Sequence, residues 1–321
     1  MTVILFLLPL CLSVHLRDLR SNNIESTASK LPKGYHTSDD LSVALRSMVD
    51  SCKAEMRIEQ DLDVEIVTLG REDVQDVKKV FLLFGEHARE LVSVETAFDL
   101  IQEICGNSHL EGVVFKIIPN ANAKSRRLVE QGEFCRRVDI DGVDLNRNWG
   151  DSETRSDRVK GKTYFSLSAD AEQTNPGPYP FSETETRVIK ESLQKFNPDL
   201  FISVHSGVRG IYTPWADSQT EETTSDVSNF KRMKDLVDSV DKEHCQCPLG
   251  EAGVTIGYSS SGTCIDWAYS NLKTKWVYAF EIYQGDQSTD DCFSLFNPTS
   301  DLLSEVTSNW TNAILHLVEL M

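Results

Sequence analysis

Five short apolar segments, separated by segments with helical periodicity, constrain the fold of this chain more than any other feature. They are VEIVTL (64–69), KVFLLFG (79–85), VVFKIIP (113–119), DLFISVH (199–205) and WVYAFEIY (276–283). Runs of this length and apolarity are typical of central strands that are covered on both faces. The pattern therefore predicts a sheet buried between two other layers.

The segments between these runs have the spacing of amphipathic helices. Apolar residues recur on one face over residues 91–105, 183–195, 228–243 and 301–319. No domain boundary interrupts the alternation. We therefore expect a single three-layer α/β domain over residues 35–321, with a mixed, mostly parallel central sheet flanked by helices.

The N-terminus carries a separate signal. The apolar run VILFLLPLCLSV (3–14) matches a signal-peptide core and is too short to span a membrane. We expect residues 1–18 to be a signal peptide, followed by a short polar segment over residues 19–34. A buried N-terminal strand is the alternative, because no lysine or arginine precedes the run. The expectation is a protein secreted or held in the secretory-pathway lumen, either extracellular or in a vacuole or lysosome, with no membrane span after signal removal.

Composition excludes one class of partner. The chain has a formal net charge of −18, so its surface repels the phosphates of nucleic acids and anionic membranes. With 40% hydrophobic residues it resembles an ordinary folded protein rather than a disordered one. No nucleic-acid partner and a monomeric state are expected.

Seven cysteines remain outside the N-terminal apolar run, which contains Cys11. In an oxidising compartment seven cysteines can form up to three disulfides and leave one free thiol. The spacing in one sequence does not fix which cysteines pair.

The strongest local motif is Gly85-Glu86-His87-Ala88-Arg89-Glu90, between an apolar strand and a helix. His87 and Glu90 can direct an imidazole and a carboxylate to one point, as two ligands of a His₂Glu zinc site with an open fourth position. His205, at the end of DLFISVH, is the candidate third ligand, since α/β sheets place ligands at strand ends. Taken alone, His87 and Glu90 could equally be a solvated helix start. Taken alone, His205 could equally be a structural histidine.

Glu281 lies within the apolar strand WVYAFEIY. Burying a carboxylate without a partner costs several kcal/mol, so it requires a polar counterpart. Water held by a metal ion is one candidate, and a buried arginine or lysine is the other.

Further motifs occur in a fixed order along the chain. They are Phe134-Cys135-Arg136-Arg137, then DLNRNW (144–149), then Tyr258, then GTCIDW (262–267) ahead of Glu281. Together with the His-x-x-Glu turn, they resemble the zinc metallocarboxypeptidases of the carboxypeptidase A family over roughly residues 35–320. The resemblance implies that family's fold, one Zn²⁺ per chain, and peptide or protein C-termini as substrates.

The resemblance also implies a role for each catalytic residue. His87, Glu90 and His205 would bind zinc and leave one position for water. Glu281 would be the general base that takes a proton from this water and returns it to the leaving amine. Arg136 would stabilise the oxyanion that develops on the scissile carbonyl.

The same resemblance implies substrate-binding residues. Asn146 and Arg147 match the anchor for the terminal carboxylate, which suits a bidentate guanidinium. Tyr258 matches a mobile tyrosine that covers the bound residue, and Arg89 matches a subsite residue, although it could also be a surface charge. Ile265 stands at the base of the pocket for the terminal side chain, so an apolar or aromatic terminal residue is favoured.

Other residues near this pocket leave its size and charge open. Gly253 and Ala279 are small and could widen it, whereas Asp217 or Glu251 could approach its wall and admit a basic side chain. Asp266 is expected to be structural.

Two covalent features are also open at this point. Cys135 and Cys264 both lie near the cleft in this alignment, which implies either a disulfide between them or a free buried thiol. The sequon Asn309-Trp310-Thr311 would be glycosylated only if it were surface exposed.

Two other functions fit parts of the pattern. A zinc-dependent deacylase or amidase could use the same ligands, but it would not need the Asn146 and Arg147 anchor or Tyr258. A secreted, non-catalytic binding module could keep the fold, but such a module typically loses the base or a ligand, and Glu281 is present.

Overall fold

The protein is described by a computed structural model. It describes residues 29–106, 112–150, 171–220 and 227–321. The predicted signal peptide and most of the polar segment after it lie outside these residues. Within the described part of the chain, no helix combines the length and the apolarity that a membrane crossing requires.

The described residues form one eight-stranded mixed sheet with the strand order β1-β2-β4-β3-β5-β8-β6-β7. The strands are β1 (Met56–Asp61), β2 (Val64–Leu69), β3 (Lys78–Phe84), β4 (Val113–Ile118), β5 (Leu200–His205), β6 (Arg209–Thr213), β7 (Leu249–Glu251) and β8 (Trp276–Ile282). The four central strands, β4, β3, β5 and β8, run parallel to one another. β1, β2 and β6 join the sheet through antiparallel pairs, so the parallel strands lie in its interior.

Helices flank this sheet. They are α1 (Ser38–Met48), α2 (Leu91–Gly106), α3 (Ala123–Glu130), α4 (Thr184–Phe196), α5 (Val227–Val240), α6 (Ala252–Ile256), α7 (Cys264–Trp267), α8 (Cys292–Phe296) and α9 (Ser300–Leu320). The predicted α/β architecture with a mixed central sheet is therefore confirmed.

The five apolar segments correspond to β2, β3, β4, β5 and β8, and the four helical segments to α2, α4, α5 and α9. The third helix ends earlier than predicted, because α5 stops at Val240 and a π-turn follows over Asp241–Cys245. The sequence analysis missed the outer strands β1, β6 and β7 and the helices α1, α3, α6, α7 and α8.

The central strands are held by burial on both faces. Every residue of β5 is buried, and Phe81 of β3 packs against Phe196 of α4 at 6.2 Å and Phe201 of β5 at 6.0 Å between ring centroids. Each large apolar side chain buried in this way contributes about 1.5–3 kcal/mol. The middle of the sheet therefore provides a rigid support for the side chains at its carboxyl edge.

The seven cysteines among the described residues form three disulfides, Cys52–Cys105, Cys135–Cys292 and Cys245–Cys247. Cys264 is free and buried. The sequence analysis expected up to three disulfides and one free thiol, and the structure shows this number of each. The suggested Cys135–Cys264 pair is wrong, because Cys135 bonds to α8 while the Cys264 thiol faces a buried carboxylate.

The sequon lies on α9, where Asn309 Nδ2 donates a hydrogen bond to His244 O at 2.9 Å. Trp310 and Thr311 are buried. Asn309 itself is half-buried, so its glycosylation stays a prediction.

The topology brings three strand ends to one edge of the sheet. β3, β5 and β8 are adjacent and parallel, with Leu83 paired to Ser203 and His205 paired to Glu281. Residues that follow β3 or end β5 and β8 therefore meet at the carboxyl edge.

Candidate metal centre and active site

A glycine turn brings the first two candidate ligands into the site. β3 ends at Phe84, and Gly85 follows with a φ of 72°. A Cβ at this position would lie 2.9 Å from Val94 Cγ2 and 3.2 Å from Asn120 Cα, so both the backbone angle and the packing require glycine. The chain then turns through His87 and Glu90 into α2.

The three predicted ligands converge. His87 Nδ1 lies 2.7 Å from Glu90 Oε1, His205 Nδ1 lies 3.1 Å from Glu90 Oε2, and the two Nδ1 atoms are 3.2 Å apart. All three side chains are buried. Two imidazole nitrogens at this distance repel each other unless a proton or a cation lies between them.

This donor set fits zinc. Ligand atoms around a tetrahedral zinc ion lie about 3.3 Å apart when each zinc–nitrogen bond is about 2.0–2.1 Å long. The separations of 2.7–3.2 Å among the three atoms are close to that value. Two nitrogens and a carboxylate are also ligands that zinc accepts in proteins.

A buried carboxylate orients the first histidine. His87 Nε2 lies 3.1 Å from Asp144 Oδ1, and Arg137 Nε donates to Asp144 Oδ2 at 2.8 Å. Burial alone would raise the pKa of Asp144, but the positive charges of Arg137 and Arg147 hold it well below its usual value. An ionised Asp144 accepts the Nε2 proton and leaves Nδ1 of His87 as a ligand. The sequence analysis quoted Asp144 within DLNRNW but gave it no role.

A second buried carboxylate lies behind the other histidine. Glu86 Oε2 is 3.4 Å from His205 Nε2 and accepts a hydrogen bond from Ser203 Oγ at 2.8 Å. The Ser203 Oγ atom is also 2.7 Å from His205 Nε2. Neither Glu86 nor Ser203 was singled out from the sequence.

Glu281 lies beside the cluster, paired in register with His205. Its Oε2 atom is shielded from solvent and has no hydrogen-bond partner among the residues that the structure describes. Burial raises the pKa of Glu281 to about 8, and the negative charge of Glu90 adds to this rise, while His205 and Arg137 oppose it. A metal cation would supply the missing favourable interaction and lower that pKa.

The arginine that reaches this cluster is not the expected one. Arg136 donates through Nε to Ser125 Oγ and through NH2 to Asp139 O, both at 2.6 Å. Arg137 instead bonds Asp144 and has its NH1 atom 3.7 Å from Glu90 Oε1. Arg137, and not the predicted Arg136, is therefore the arginine that lies at the cluster. Adjacent side chains leave the backbone in different directions, and the motif alone did not show which one faces the cluster.

The two residues of the expected carboxylate anchor are half-buried beside the metal ligands. Asn146 Nδ2 lies 3.3 Å from His205 Nε2, and Asn146 Oδ1 accepts the Cys264 N–H at 2.9 Å. Arg147 donates to Ser260 Oγ at 3.1 Å. A Cβ on Gly262 would lie 2.2 Å from Arg147 O, so glycine permits the close approach of these two loops.

Three other predicted substrate residues differ in exposure. Tyr258 is 54% exposed, as expected for a side chain that can move, whereas Ile265 is buried in α7. The Arg89 guanidinium lies 4.0 Å from the centroid of the Phe296 ring and donates to Cys135 O. Arg89 is therefore held against α8 rather than being a loose surface charge.

Around the expected pocket, Gly253 does not provide extra width. A Cβ there would lie 2.1 Å from Ser218 O, so backbone already fills the space. Asp266 accepts hydrogen bonds from the N–H groups of Ala216 and Asp217, which agrees with its expected structural role.

These features define an α/β protein with a candidate His₂Glu metal centre at the carboxyl edge of its sheet. The zinc carboxypeptidase family matches residues 59–312. The match covers most of the chain, and this protein therefore belongs to the zinc carboxypeptidase family.

Individual relatives agree. Carboxypeptidase A5 of Homo sapiens is 26% identical over 228 residues, covering 69% of this chain and 46% of the relative. Carboxypeptidase B of Astacus astacus is 23% identical over 275 residues, covering 77% of this chain and 86% of the relative. The chain thus matches about half the length of the human relative.

The fold is similar to that of solved carboxypeptidase structures. The crystal structure of thrombin activatable fibrinolysis inhibitor superposes with a TM-score of 0.71 at 18% identity, covering 89% of this chain and 74% of that one. At this identity the likeness establishes the fold alone.

Proposed function

We propose that this protein is a zinc-dependent exopeptidase that hydrolyses the C-terminal peptide bond of peptides. The observation that carries the proposal is the convergence of the three ligand atoms beside the shielded Oε2 atom of Glu281, which has no hydrogen-bond partner among the described residues. A metal site alone would fit many proteins, but a shielded carboxylate next to it fits a hydrolase that needs a base.

His87, Glu90 and His205 would hold one zinc ion per chain. When bound, zinc supplies a Lewis acid that polarises the scissile carbonyl and lowers the pKa of a water molecule. Asp144 holds the His87 tautomer in which Nδ1 is free to bind, through its contact with Nε2.

Glu281 is the general base in this proposal. Its Oε2 atom takes the proton from the attacking water and returns it to the nitrogen of the leaving residue. Burial raises the pKa of Glu281, and the charge of a bound zinc ion would oppose that rise, so the carboxylate would be ionised and able to accept a proton.

We assign oxyanion stabilisation to Arg137 in place of Arg136. The guanidinium of Arg137 contacts Asp144 and lies near Glu90, so it is held at the reaction centre before substrate binds. A charge held in advance needs little reorganisation in the transition state, which is the condition for effective electrostatic catalysis.

Restriction to the last peptide bond would come from Arg147 and Asn146. The half-buried Arg147 guanidinium can donate two hydrogen bonds to a planar terminal carboxylate, and the Asn146 amide lies 3.3 Å from His205 Nε2. Tyr258 would close over the bound residue.

A terminal residue with an apolar or aromatic side chain is favoured. Ile265 is buried, and a charged side chain placed against it without a counter-charge would be unfavourable by several kcal/mol.

The three disulfides support a location in an oxidising compartment, either outside the cell or in a lumen of the secretory pathway. We propose a monomer that acts on peptide or protein C-termini.

The test uses blocked dipeptides that differ only in the last residue, namely Phe, Leu, Lys or Asp, and a second set with the C-terminus amidated. The purified protein should release Phe and Leu fastest, and should leave the amidated set intact because Arg147 then has no carboxylate to bind. A deacylase would instead hydrolyse an N-acylated amino acid faster than any dipeptide. Equal cleavage of the free and amidated sets would contradict the proposal.

A further inference from the structure

Glu86 is a buried carboxylate that the proposed reaction does not use. It lies directly before the ligand His87, and its side chain is fully buried. Burying an ionised carboxylate costs free energy unless several hydrogen-bond donors surround it. We therefore consider which groups contact Glu86.

Three neutral donors surround Glu86. Trp149 Nε1 donates to Oε1 at 3.2 Å, while Ser203 Oγ and Cys264 Sγ donate to Oε2 at 2.8 Å and 3.3 Å. These bonds fix the orientation of the carboxylate, and none of the three donors neutralises its charge. The charge is directed instead at His205, whose Nε2 atom is 3.4 Å from Oε2.

The direction of the hydrogen bonds follows from the donors that are available. Two groups lie near His205 Nε2, the Ser203 hydroxyl at 2.7 Å and the Asn146 amide nitrogen at 3.3 Å, and the nearer one sets the proton. The Ser203 hydroxyl has one proton, which it donates to Glu86, so its oxygen accepts the proton on His205 Nε2. His205 is then the tautomer with a free lone pair on Nδ1. That nitrogen is the one that faces Glu90 and His87.

We propose that Glu86 is a positioning residue for the metal ligand His205 and acts through the Ser203 hydroxyl. This inference rests on the metal centre of the proposed function. It makes Glu86 the second carboxylate, after Asp144, that orients a histidine ligand without binding the metal. Asp144 acts directly on His87, whereas Glu86 acts on His205 both through Ser203 and by its charge. An outer carboxylate raises the basicity of the imidazole and holds the ring in its binding orientation, so it strengthens metal binding.

The test measures the dissociation constant of zinc, not the rate of turnover. Metal-free full-length protein competes with a chromophoric chelator for zinc, in the wild type and in the variants Glu86→Gln and Ser203→Ala. The matched control is Glu130→Gln, which alters another buried carboxylate that bonds Ser38 and does not contact the metal ligands. Visible absorption of the Co²⁺-substituted proteins reports the ligand geometry.

Both site variants should bind zinc about 10- to 100-fold more weakly than the wild type, with a changed Co²⁺ spectrum, because outer partners typically contribute this much. In the Glu86→Gln, Ser203→Ala double variant, the zinc dissociation constant should rise by less than the product of the two single fold-changes. The effects are not independent, because both residues act on the His205 ring. The Glu130→Gln control should bind zinc like the wild type.

Zinc dissociation constants within about threefold of the wild type in both single variants would overturn the proposal. Should Glu86→Gln fail to fold, Ser203→Ala decides alone, because it keeps the carboxylate and removes only the link to His205. A wild-type protein that binds no zinc would refute the proposed metal centre itself. Zinc binding that is insensitive to both changes would refute only the role of Glu86.

Discussion

Arg136 and Arg137 are adjacent in the sequence, but their side chains point in different directions and make different contacts. Arg136 bonds Ser125 Oγ and the Asp139 carbonyl, so it ties the loop after α3 together. Arg137 points to Asp144 and lies near Glu90. Arg136 therefore stabilises its own loop, whereas Arg137 lies at the candidate metal centre.

This difference predicts opposite effects of matched substitutions. In zinc-saturated protein, Arg137→Gln should lower kcat/KM roughly 100- to 1,000-fold, because the transition state loses a preorganised positive charge. Arg136→Gln should leave kcat/KM nearly unchanged and lower the free energy of unfolding by about 1–2 kcal/mol, since its hydrogen bonds are lost. Steady-state kinetics and urea unfolding separate the two outcomes, and the reverse pattern would restore the original assignment of Arg136.

At the scale of single residues, spacing and strand position were enough to select His87, Glu90 and His205, which the structure brings to one point. They were not enough to find Glu86 and Ser203. Those residues act through contacts across more than a hundred positions, such as the 2.8 Å bond between them, and nothing in local spacing indicates such a contact.

Among the secondary-structure elements, the central strands were predictable and the outer ones were not. β3 and β5 are apolar throughout because both faces are covered. β1 has mostly exposed or half-exposed residues, and β7 spans three residues, so neither produces an apolar run. The missed α1 did carry a signal, since Thr37 and Asp40 form a capping box at its start.

The junction between α1 and α2 predicts a dependence of stability on pH. His36 precedes α1, and its Nδ1 atom lies 2.7 Å from Glu95 Oε2 on α2. The hydrogen bond to Glu95 raises the pKa of His36 above its usual value of 6.5. A raised pKa in the folded state means that this contribution is fully present below the unfolded pKa and is lost as pH rises through the folded pKa.

Urea unfolding of the wild type and His36→Asn at pH 5.5 and pH 9 tests this contribution. The wild type should exceed the variant by more at pH 5.5 than at pH 9, by up to about 1 kcal/mol, because the His36 side chain is 41% exposed. A difference that is the same at both pH values, or larger at pH 9, would contradict the assignment.

For the whole molecule, two of the three disulfides connect segments that are far apart in the sequence. Cys135 and Cys292 are separated by 157 residues, and their bond joins the loop that carries Arg137 to α8. Cys52 and Cys105 are separated by 53 residues and join the segment after α1 to the end of α2. The number of bonds could be estimated from the sequence, but their pairing depends on the complete fold.

Removing each bond by paired serine substitutions should therefore have different consequences. Either change should lower the free energy of unfolding by roughly 2–5 kcal/mol. At a temperature where both variants stay folded, only the Cys135→Ser, Cys292→Ser variant should lose kcat/KM, because its bond holds the arginine loop. Equal kinetic losses in both variants would show that the bond has no special link to the site.

The central claim is that His87, Glu90 and His205 hold the one zinc ion on which hydrolysis of C-terminal peptide bonds depends. The most direct test is to titrate metal-free protein with zinc while measuring release of the last residue from a blocked dipeptide. The account predicts that activity rises in proportion to added zinc and stops at about one ion per chain, and that His205→Asn gains none. A metal-free protein that hydrolyses the dipeptide as fast as the zinc-loaded protein would contradict it.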